Sequence, residues 1–242
     1  MWLKITKNYS PNFTLPKRSK KKIKFIIIHY TGMKKETLAI KRLCNFNSKV
    51  SAHYFIKKNG DILNLVPDLF EAWHAGKSRW GNYKSLNKYS IGIEIQNSGH
   101  ENKYEKFTLN QIDSLKKLLK KLIINYKINK KNILGHSDIA PERKLDPGEK
   151  FPWKSLSKLK LAYWHGLEEK KIKKLRLKKL NKDEEKKFFE SIKKIGYMRI
   201  KDLNINHNKI LIKSFQRRFR QSLINGIADQ ECLSISKNLL KS

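Results

Sequence analysis

The sequence predicts an α/β fold with a mixed central β-sheet flanked by helices, followed by a small C-terminal three-helix domain. Between residues 23 and 157, short β-branched apolar runs that are typical of buried strands alternate with segments of helical periodicity. Residues 183–242 carry helical patterns instead. A chain of 242 residues can bury a full core, so one domain plus a smaller one is expected. The predicted division is 1–22 as a basic lead-in, 23–157 as the α/β domain, 158–182 as a lysine-rich linker and 183–242 as the helical unit.

The composition indicates a folded protein with an extreme positive charge. Apolar residues make up 39% of the chain and aromatic residues 10%, which argues against disorder. A net charge of +34 favours polyanions such as nucleic acid or an anionic cell envelope. The preference for Lys over Arg, together with the many Ile and Asn residues, is equally what an AT-rich genome produces. Because lysine is spread along the whole chain, we expect no nucleic-acid partner.

Cysteines and terminal segments indicate the compartment. Cys44 and Cys232 lie far apart without a partner motif, so two free buried thiols are expected, although a disulfide between them stays open. The N-terminal residues lack the apolar core of a signal peptide, and no apolar run is long enough to cross a bilayer. We therefore expect a cytoplasmic protein, with the periplasm or cell envelope as the alternative. The oligomeric state is not predicted.

The first elements bring a histidine to the end of a buried strand. Residues 1–22 end in the basic run Lys17–Lys22, which we expect to be solvated. The apolar run Ile23–Thr31 is typical of a buried strand, and His29 lies at its carboxyl end, where α/β proteins place their sites. A helix that packs on the sheet is predicted next, over Glu36–Phe46. Its apolar positions are Leu38, Leu43 and Phe46.

A hairpin and an aromatic loop follow. The segments 53–57 and 62–66 flank Asn59-Gly60-Asp61, which is a strong turn signal. At the start of the first of these strands, His53 is expected to be structural. Trp73-His74-Ala75-Gly76 then lies in a loop near Trp80 and Tyr83. Such aromatic residues either recognise sugars and peptides or anchor the core, and the sequence leaves both interpretations open.

The next strand carries a glutamate on one face. In Ser90–Gln96, the three isoleucines share one face, while Gly92, Glu94 and Gln96 share the other. A glutamate on a central strand is costly to bury unless a charge or a hydrogen bond compensates it, and a metal site would supply that charge. The alternative is a solvent-exposed sheet face. Thr108–Gln111 then has the pattern of a capping box that opens a core-packing helix. Its apolar stripe is Leu109, Ile112, Leu115, Leu118, Leu119, Leu122, Ile123 and Tyr126.

The segment Gly135–Gly148 concentrates chemistry-bearing residues, and the short strand 132–134 leads into it. It holds His136, Asp138, Lys144 and Asp146 among two prolines and two glycines, which predict an irregular loop with a fixed path. Together with the strand-end histidine, two nitrogens and one carboxylate oxygen leave a fourth tetrahedral position open, which is the arrangement of a catalytic zinc site. We expect Asp138 to orient the loop or its histidine and not to bind metal.

Three helices are predicted near the C-terminus. Asp183 is expected to cap the first helix, Gly196 to stop it, and Asp229 to cap the third helix after the turn 225–229. The apolar positions of the first two helices are Phe188, Phe189, Ile192, Ile195, Ile210, Leu211, Phe215 and Phe219.

Five separated motifs together resemble the zinc-dependent N-acetylmuramoyl-L-alanine amidases of the peptidoglycan-recognition-protein fold (amidase type 2). The resemblance spans about residues 22–157 and implies hydrolysis of the amide between the muramoyl lactyl group and L-alanine, in cell-wall turnover or recycling. It also implies that residues 23–157 are the catalytic domain, with one zinc ion per chain. The motifs are Ile27-Ile28-His29-Tyr30-Thr31, Val50-Ser51-Ala52-His53-Tyr54, Trp73-His74-Ala75-Gly76, Ile91-Gly92-Ile93-Glu94-Ile95 and the Gly135–Gly148 loop.

The resemblance assigns roles to individual residues. Glu94 corresponds to the general base, and Lys144 lies where the family carries a lysine that stabilises the developing oxyanion. Some members use a tyrosine just before the histidine that matches His53, but here that position is Ala52, which leaves the glutamate as the base. The implied metal ligands are His29, His136 and Asp146, and the implied substrate-binding residues are Trp73, His74, Asn97, Ala140 and Arg143.

The C-terminal region resembles the three-helix peptidoglycan-binding module often attached to such amidases, through Phe215–Arg220 and Gly226–Asp229. A generic helical bundle is the alternative. Expected partners are peptidoglycan or muropeptides, and the sequence does not distinguish the intact polymer from 1,6-anhydro-muropeptides. A complete ligand set favours a hydrolase. The other function classes that stay open are a non-catalytic peptidoglycan-binding protein and, after it, a nucleic-acid-binding protein.

Overall fold

A computed structural model describes residues 4–198 and 207–241. The predicted lead-in and the predicted C-terminal unit therefore each include residues outside the described ranges. The strands are β1 (Ile5–Lys7), β2 (Phe13–Thr14), β3 (Phe25–Tyr30), β4 (Tyr54–Ile56), β5 (Ile62–Asn64), β6 (Glu71–Ala72), β7 (Arg79–Trp80), β8 (Tyr83–Lys84), β9 (Ser90–Ile95) and β10 (Ile133–Gly135). The helices are α1 (Glu36–Cys44), α2 (Leu109–Tyr126), α3 (His136–Ile139), α4 (Trp153–Lys158), α5 (Glu169–Lys173), α6 (Lys182–Ile195), α7 (His207–Phe219) and α8 (Gln230–Lys241).

The main sheet is mixed, as predicted. Within the described residues its strand order is β1-β5-β4-β9-β3-β10. The hairpin partners β4 and β5 are antiparallel, as the Asn59-Gly60-Asp61 turn requires, and the other neighbours are parallel. Because β3 and β9 run parallel in register, His29 lies opposite Glu94 at the same edge of the sheet. The sheet topology therefore brings two of the predicted site residues together.

Helices cover both faces of this sheet. In β3, Ile26 and Ile28 pack in one core with the buried leucines of α2, whereas Phe25 and Ile27 pack in another core with the C-terminal helices. This alternation follows from the period of two along a strand. His29 continues the second face, so its side chain lies on the same side of the sheet as the C-terminal unit.

The capping residues decide where the long helices begin. The predicted capping box of α2 is present, with Thr108 accepting from the Gln111 amide and the Gln111 side chain accepting in return. For α6 the prediction of Asp183 as cap is wrong. Asn181 caps this helix in a capping box with Glu184, and Asp183 lies in its first turn. The predictions that Gly196 ends α6 and that Asp229 caps α8 are confirmed.

Expectations about the basic lead-in and about some apolar positions need correction. The basic lead-in is part of the fold, since β1 pairs with β5 and Arg18 is buried against backbone carbonyls of the domain. Helix α1 packs through Ala39 and Leu43. At three predicted apolar positions the side chain is exposed instead, because it faces away from the sheet: Leu38, Phe46 and Leu109.

The predicted linker also contributes to the core. Leu161, Ala162 and Tyr163 are buried, and α5 buries Ile172. Cys44 and Cys232 are free thiols, which confirms the predicted reduced state, although Cys44 is partly exposed and not buried. Among the helices of residues 4–198 and 207–241, none is long and apolar enough to span a membrane.

Candidate metal centre and active-site cleft

Three side chains converge at the carboxyl edge of the sheet. His29 is the penultimate residue of β3, His136 follows β10, and Asp146 lies on the loop beyond α3. The Nδ1 atom of His29 lies 2.9 Å from Nδ1 of His136 and 2.9 Å from Oδ2 of Asp146, and the last two atoms are 3.1 Å apart. In the described part of the chain this is the one group of three side chains with metal-ligating geometry, and all three are buried. The predicted ligand set therefore meets in space.

The loop that carries two of these side chains is more regular than predicted. Residues 136–139 form the single helical turn α3, where an irregular loop was expected. No proline or glycine interrupts this stretch, and Oδ2 of Asp138 accepts the Gly135 amide at 2.7 Å, which caps the turn. The amide of Ser137 donates to the carbonyl of Asp146 at 2.8 Å. This backbone bond keeps the two ends of the loop together and so keeps His136 beside Asp146.

A chain of hydrogen bonds fixes which nitrogen of His29 faces the cluster. The Leu86 carbonyl can only accept, so Ser90 Oγ donates to it at 2.6 Å and accepts from Nε2 of His74 at 3.2 Å. Nδ1 of His74 then accepts from Nε2 of His29 at 3.0 Å. The remaining lone pair of His29, on Nδ1, consequently points at His136 and Asp146.

His136 is oriented by the 73–76 loop. Its Nε2 donates to the carbonyl of Ala75 at 3.1 Å, which leaves Nδ1 as the free lone pair. The same carbonyl accepts from the guanidinium of Arg143, which also donates to the carbonyl of Lys77 at 2.7 Å. Both histidines thus present Nδ1 to one point because acceptors elsewhere in the fold hold Nε2.

The electrostatics of the cluster favour a neutral His29 and an ionised Asp146. Burial, reinforced by the nearby His136, lowers the pKa of His29 to about 4. Burial opposes ionisation of Asp146, but its hydrogen bonds and close contacts with the two histidines outweigh it and hold the pKa of this carboxyl well below its usual range. Neutral imidazoles and a carboxylate are the protonation states in which these groups bind metal ions.

Glu94 lies beside this cluster with an unsatisfied oxygen. It is partly buried in the cleft, and its Oε2 has no hydrogen-bond partner among the described residues. Burial raises its pKa well above the usual value, the negative charge of Asp146 adds to the rise, and the ammonium of Lys144 opposes it. The alternative of a glutamate on a solvent-exposed sheet face does not hold. A buried acceptor without a donor is rare in folded proteins, and a water molecule, a ligand or a cation would satisfy it.

These residues line a cleft of about 540 Å³. This volume is typical of sites that enclose a small organic ligand. The apolar and aromatic part of its wall comes from α1 and the 73–76 loop, and the polar part comes from the 98–101 segment and the 143–146 loop. The walls include Met33, Leu43, Val50, Trp73, His74, His100, Glu101, Arg143, Lys144 and Leu145.

The residues that the resemblance assigned to substrate binding fall into two groups. Trp73, His74 and Arg143 line the cleft, although both ring nitrogens of His74 are already hydrogen-bonded within the protein. Asn97 and Ala140, in contrast, do not line the cleft. The side chain of Asn97 is buried: its Nδ2 donates to the Glu105 carbonyl, and its Oδ1 accepts from the Gly99 amide. Ala140 is fully buried in the core, so neither side chain offers a surface to a ligand in the cleft.

The remaining aromatic and histidine predictions are settled by packing. His53 is fully buried and its Nδ1 accepts the Gly92 amide, which confirms a structural role. Trp80 packs edge-on against Tyr197 of the C-terminal region and belongs to the core. Asp138 orients the loop, as predicted, through its bond to Gly135.

Sequence reasoning missed two groups around the site. One is Ser90, which ends the hydrogen-bond chain to His29. The other is the series Tyr30, His100 and Glu149, joined by bonds of 2.8 and 3.0 Å, of which the first two line the cleft. Tyr30 lies within the first motif, but nothing in the motifs marks its link to His100 and Glu149.

Comparison with known proteins gives a consistent result. The family model described as N-acetylmuramoyl-L-alanine amidase matches residues 19–149. The N-acetylmuramoyl-L-alanine amidase AmiD of Escherichia coli is 33% identical over 233 residues, which cover 91% of this chain and 83% of that protein. The 1,6-anhydro-N-acetylmuramyl-L-alanine amidase AmpD of Haemophilus influenzae is 40% identical over 109 residues, covering 45% of this chain and 57% of that one.

Solved structures agree over the full fold. The complex of AmiD from Escherichia coli with the substrate anhydro-N-acetylmuramic acid-L-Ala-D-γ-Glu-L-Lys superposes with a TM-score of 0.80 at 32% identity, covering 91% of this chain and 89% of that chain. AmpDh3 from Pseudomonas aeruginosa in complex with anhydromuramic pentapeptide gives 0.79 at 29% identity, with 96% of each chain covered. The protein therefore belongs to the N-acetylmuramoyl-L-alanine amidase family.

Proposed function

We propose that this protein hydrolyses the amide bond between the lactyl group of an N-acetylmuramoyl unit and the L-alanine of its stem peptide. The observation that carries the proposal is the convergence of His29, His136 and Asp146 beside the unsatisfied carboxylate of Glu94, inside a cleft of ligand size. Membership of the amidase family supports the reaction class.

We further propose one zinc ion per chain, held by Nδ1 of His29, Nδ1 of His136 and Oδ2 of Asp146. Two imidazole nitrogens and one carboxylate oxygen are a donor set that suits zinc and leaves a fourth position open. The distances among the three atoms, 2.9 to 3.1 Å, are close to the separation of about 3.3 Å that tetrahedral zinc ligands adopt with bonds of about 2.0 Å. The orphaned oxygen of Glu94 is a second observation that fits a cation there.

When bound, the metal supplies Lewis-acid chemistry, lowering the pKa of a water molecule and polarising the amide carbonyl. Glu94 is positioned to take the proton from the attacking water and to deliver it to the nitrogen of L-alanine as the C–N bond breaks. The raised pKa of Glu94 makes this carboxylate a stronger base than an ordinary glutamate, which suits a group that must take up a proton before it donates one. The ammonium of Lys144, in the same cleft, would stabilise the negative charge that develops on the carbonyl oxygen.

For the substrate we propose soluble 1,6-anhydro-muropeptides, accepted alone or in addition to the intact polymer. AmiD and AmpDh3 have been crystallised with anhydromuramic peptides, and AmpD is named for the 1,6-anhydro sugar. The apolar wall with Trp73 suits a sugar face or an alkyl peptide side chain, and the cationic Arg143 and Lys144 suit peptide carboxylates.

The test combines metal analysis with product analysis. Purified protein should contain one zinc per chain and release the stem peptide from anhydro-muropeptide, and a chelator should stop the release. The matched control is Glu94→Gln, which should keep zinc but lose hydrolysis. A protein that binds muropeptide without cleaving it, whether or not zinc is present, would overturn the proposal in favour of a peptidoglycan-recognition protein.

A further inference from the structure

We propose that the C-terminal helical unit positions the loop of residues 135–148, called the metal loop below, and that Arg218 and Tyr197 do so by holding Asp138. These two would be positioning residues for the proposed zinc site, so the inference rests on that site. It gives the C-terminal unit a task inside the catalytic centre, in addition to any contact with cell-wall polymer.

Asp138 lies two residues after His136 and faces away from the metal cluster. Its Oδ2 caps Gly135 at 2.7 Å, and its Oδ1 accepts from the hydroxyl of Tyr197 at 2.8 Å. Nη1 of Arg218 lies 3.4 Å from Oδ2. Asp138, Tyr197 and Arg218 are each at most 3% exposed. One carboxylate thus joins the start of the metal loop to two side chains of the C-terminal unit.

Arg218 also holds the strand that leads into the loop. Its Nη2 donates to the carbonyl of Ile133 in β10 at 3.0 Å, and its guanidinium stacks 3.3 Å from the ring centroid of Trp153 in α4. The same side chain therefore contacts β10, α3 and α4, which fixes the position of the C-terminal unit relative to the strand and the turn that carry His136.

A second contact reaches the other metal ligand. Ser214 Oγ, on α7, donates to the carbonyl of Ser137 at 2.6 Å. The amide of Ser137 donates in turn to the carbonyl of Asp146 at 2.8 Å. Through these two bonds α7 constrains the backbone of Ser137, which follows His136 and is bonded to the backbone of Asp146.

The C-terminal unit also supports the loop that orients His136. Trp80 packs against Tyr197, with ring centroids 4.8 Å apart, and the amide of Gly81 donates to the carbonyl of Gly196 at 2.8 Å. Trp80 lies a few residues after Ala75, whose carbonyl accepts from His136. A module that only tethered the enzyme to a polymer would not need a buried charge in this interface, because burying Arg218 is costly unless its partners repay the desolvation.

The experiment compares the zinc affinity of two variants that lose the same chemical group, a tyrosine hydroxyl bonded to an aspartate, at two different places in the fold. Tyr197→Phe removes the hydroxyl bonded to Asp138, and Tyr126→Phe removes an equivalent hydroxyl that donates to Asp68 at 2.7 Å on the far face of the sheet. Zinc dissociation constants come from competition with a chromophoric chelator. We expect zinc affinity to fall about 10- to 100-fold for Tyr197→Phe and for Asp138→Asn, the cost typical of groups that orient metal ligands. We expect no change for Tyr126→Phe.

A second pair of variants separates loop positioning from general weakening of the C-terminal unit. Arg220 forms a buried ion pair with Asp229, and its side chain also contacts Leu223, Asn225 and Glu231, all within this unit. Arg218→Met should weaken zinc binding, whereas Arg220→Met should lower the unfolding midpoint in urea and leave zinc affinity unchanged. Should Arg218→Met fail to fold, Tyr197→Phe alone decides the matter, because it removes one oxygen and no charge.

Each outcome separates this inference from the proposed function. A wild-type protein that binds no zinc overturns both. A wild-type protein that binds zinc, with Tyr197→Phe and Asp138→Asn binding it equally well, overturns the positioning role and leaves the amidase proposal intact. Equal losses for Tyr197→Phe and Tyr126→Phe would mean that general stability sets the affinity, which also overturns the positioning role.

Discussion

Two aspartates on one loop, Asp138 and Asp146, have opposite surroundings. Both are buried, and they lie eight positions apart in the sequence. Asp146 lies between two histidines on the wall of the cleft, and its pKa is held low. Asp138 is closed in by Arg218, Tyr197 and Gly135, and burial raises its pKa in spite of the neighbouring arginine. Residue type and burial therefore do not distinguish Asp146, a proposed metal ligand, from Asp138, which has a structural role; the neighbouring groups distinguish them.

The largest loss of activity is expected from removing the negative charge of Asp146, the aspartate that lines the cleft. Asp146→Asn should abolish stoichiometric zinc and lower kcat/KM more than about a thousandfold. Lewis-acid stabilisation contributes several kcal/mol, and each 1.36 kcal/mol is a factor of ten in rate. Zinc content and anhydro-muropeptide hydrolysis measure both consequences. Retained zinc with full activity would show that Asp146 is not a ligand, and the contrast with Asp138 would disappear.

Glu94→Gln tests the chemistry of the cleft without removing a metal ligand. We expect kcat to fall about 10²- to 10⁴-fold, the usual contribution of a general base, with zinc content unchanged. Single-turnover kinetics on zinc-loaded protein provide the measurement. Because glutamine has almost the same shape as glutamate, unchanged kinetics would assign the base to another group.

His74→Ala tests the hydrogen-bond chain that orients His29. Without His74, Nε2 of His29 loses its acceptor, so the ring is free to rotate and to change tautomer. Zinc affinity should fall about 10- to 100-fold. Chelator competition gives the affinity, and the unfolding midpoint of the metal-free variant shows whether the ring also supports the core. An affinity equal to that of the wild type would mean that packing alone orients His29.

The smallest expected effect concerns a third buried aspartate, Asp229, which caps α8 and pairs with Arg220. Burial opposes its ionisation, but the bonds from Cys232 and Leu177 and the charge of Arg220 lower its pKa below the ordinary 3.8. Since the folded state prefers the ionised form, Asp229 stabilises the protein above pH 3.8 and loses this contribution as the pH falls through its lowered pKa.

Urea unfolding of the wild type and Asp229→Asn over a range of pH checks this sign. The difference in free energy of unfolding should be largest near pH 7 and should shrink below pH 3.8. A difference that grows on acidification would mean that the pKa of Asp229 is raised in the folded protein, as it is for Asp138.

The local sequence was sufficient to predict an element where the residues that stabilise it lie next to one another in the chain. The isoleucine run of β3, the Asn59-Gly60-Asp61 turn and the capping box of α2 each depend on residues within a few positions, and the structure confirms all three. Predictions were wrong where neighbouring residues were equally suited to the same structural role. Asn181 and Asp183 are both good helix caps, and only the actual chain path made Asn181 the cap.

The fold class could be predicted from the sequence alone, and strand-end position together with the order of the motifs singled out His29, His136, Asp146 and Glu94 as candidate site residues. Only the tertiary structure decided how these groups are supported. The bonds from His29 through His74 to Ser90, and from Asp138 to Tyr197 and Arg218, join residues 45, 16, 59 and 80 positions apart. No local periodicity encodes such pairs, since they form only when packing brings the sheet, the cleft loops and the C-terminal helices together.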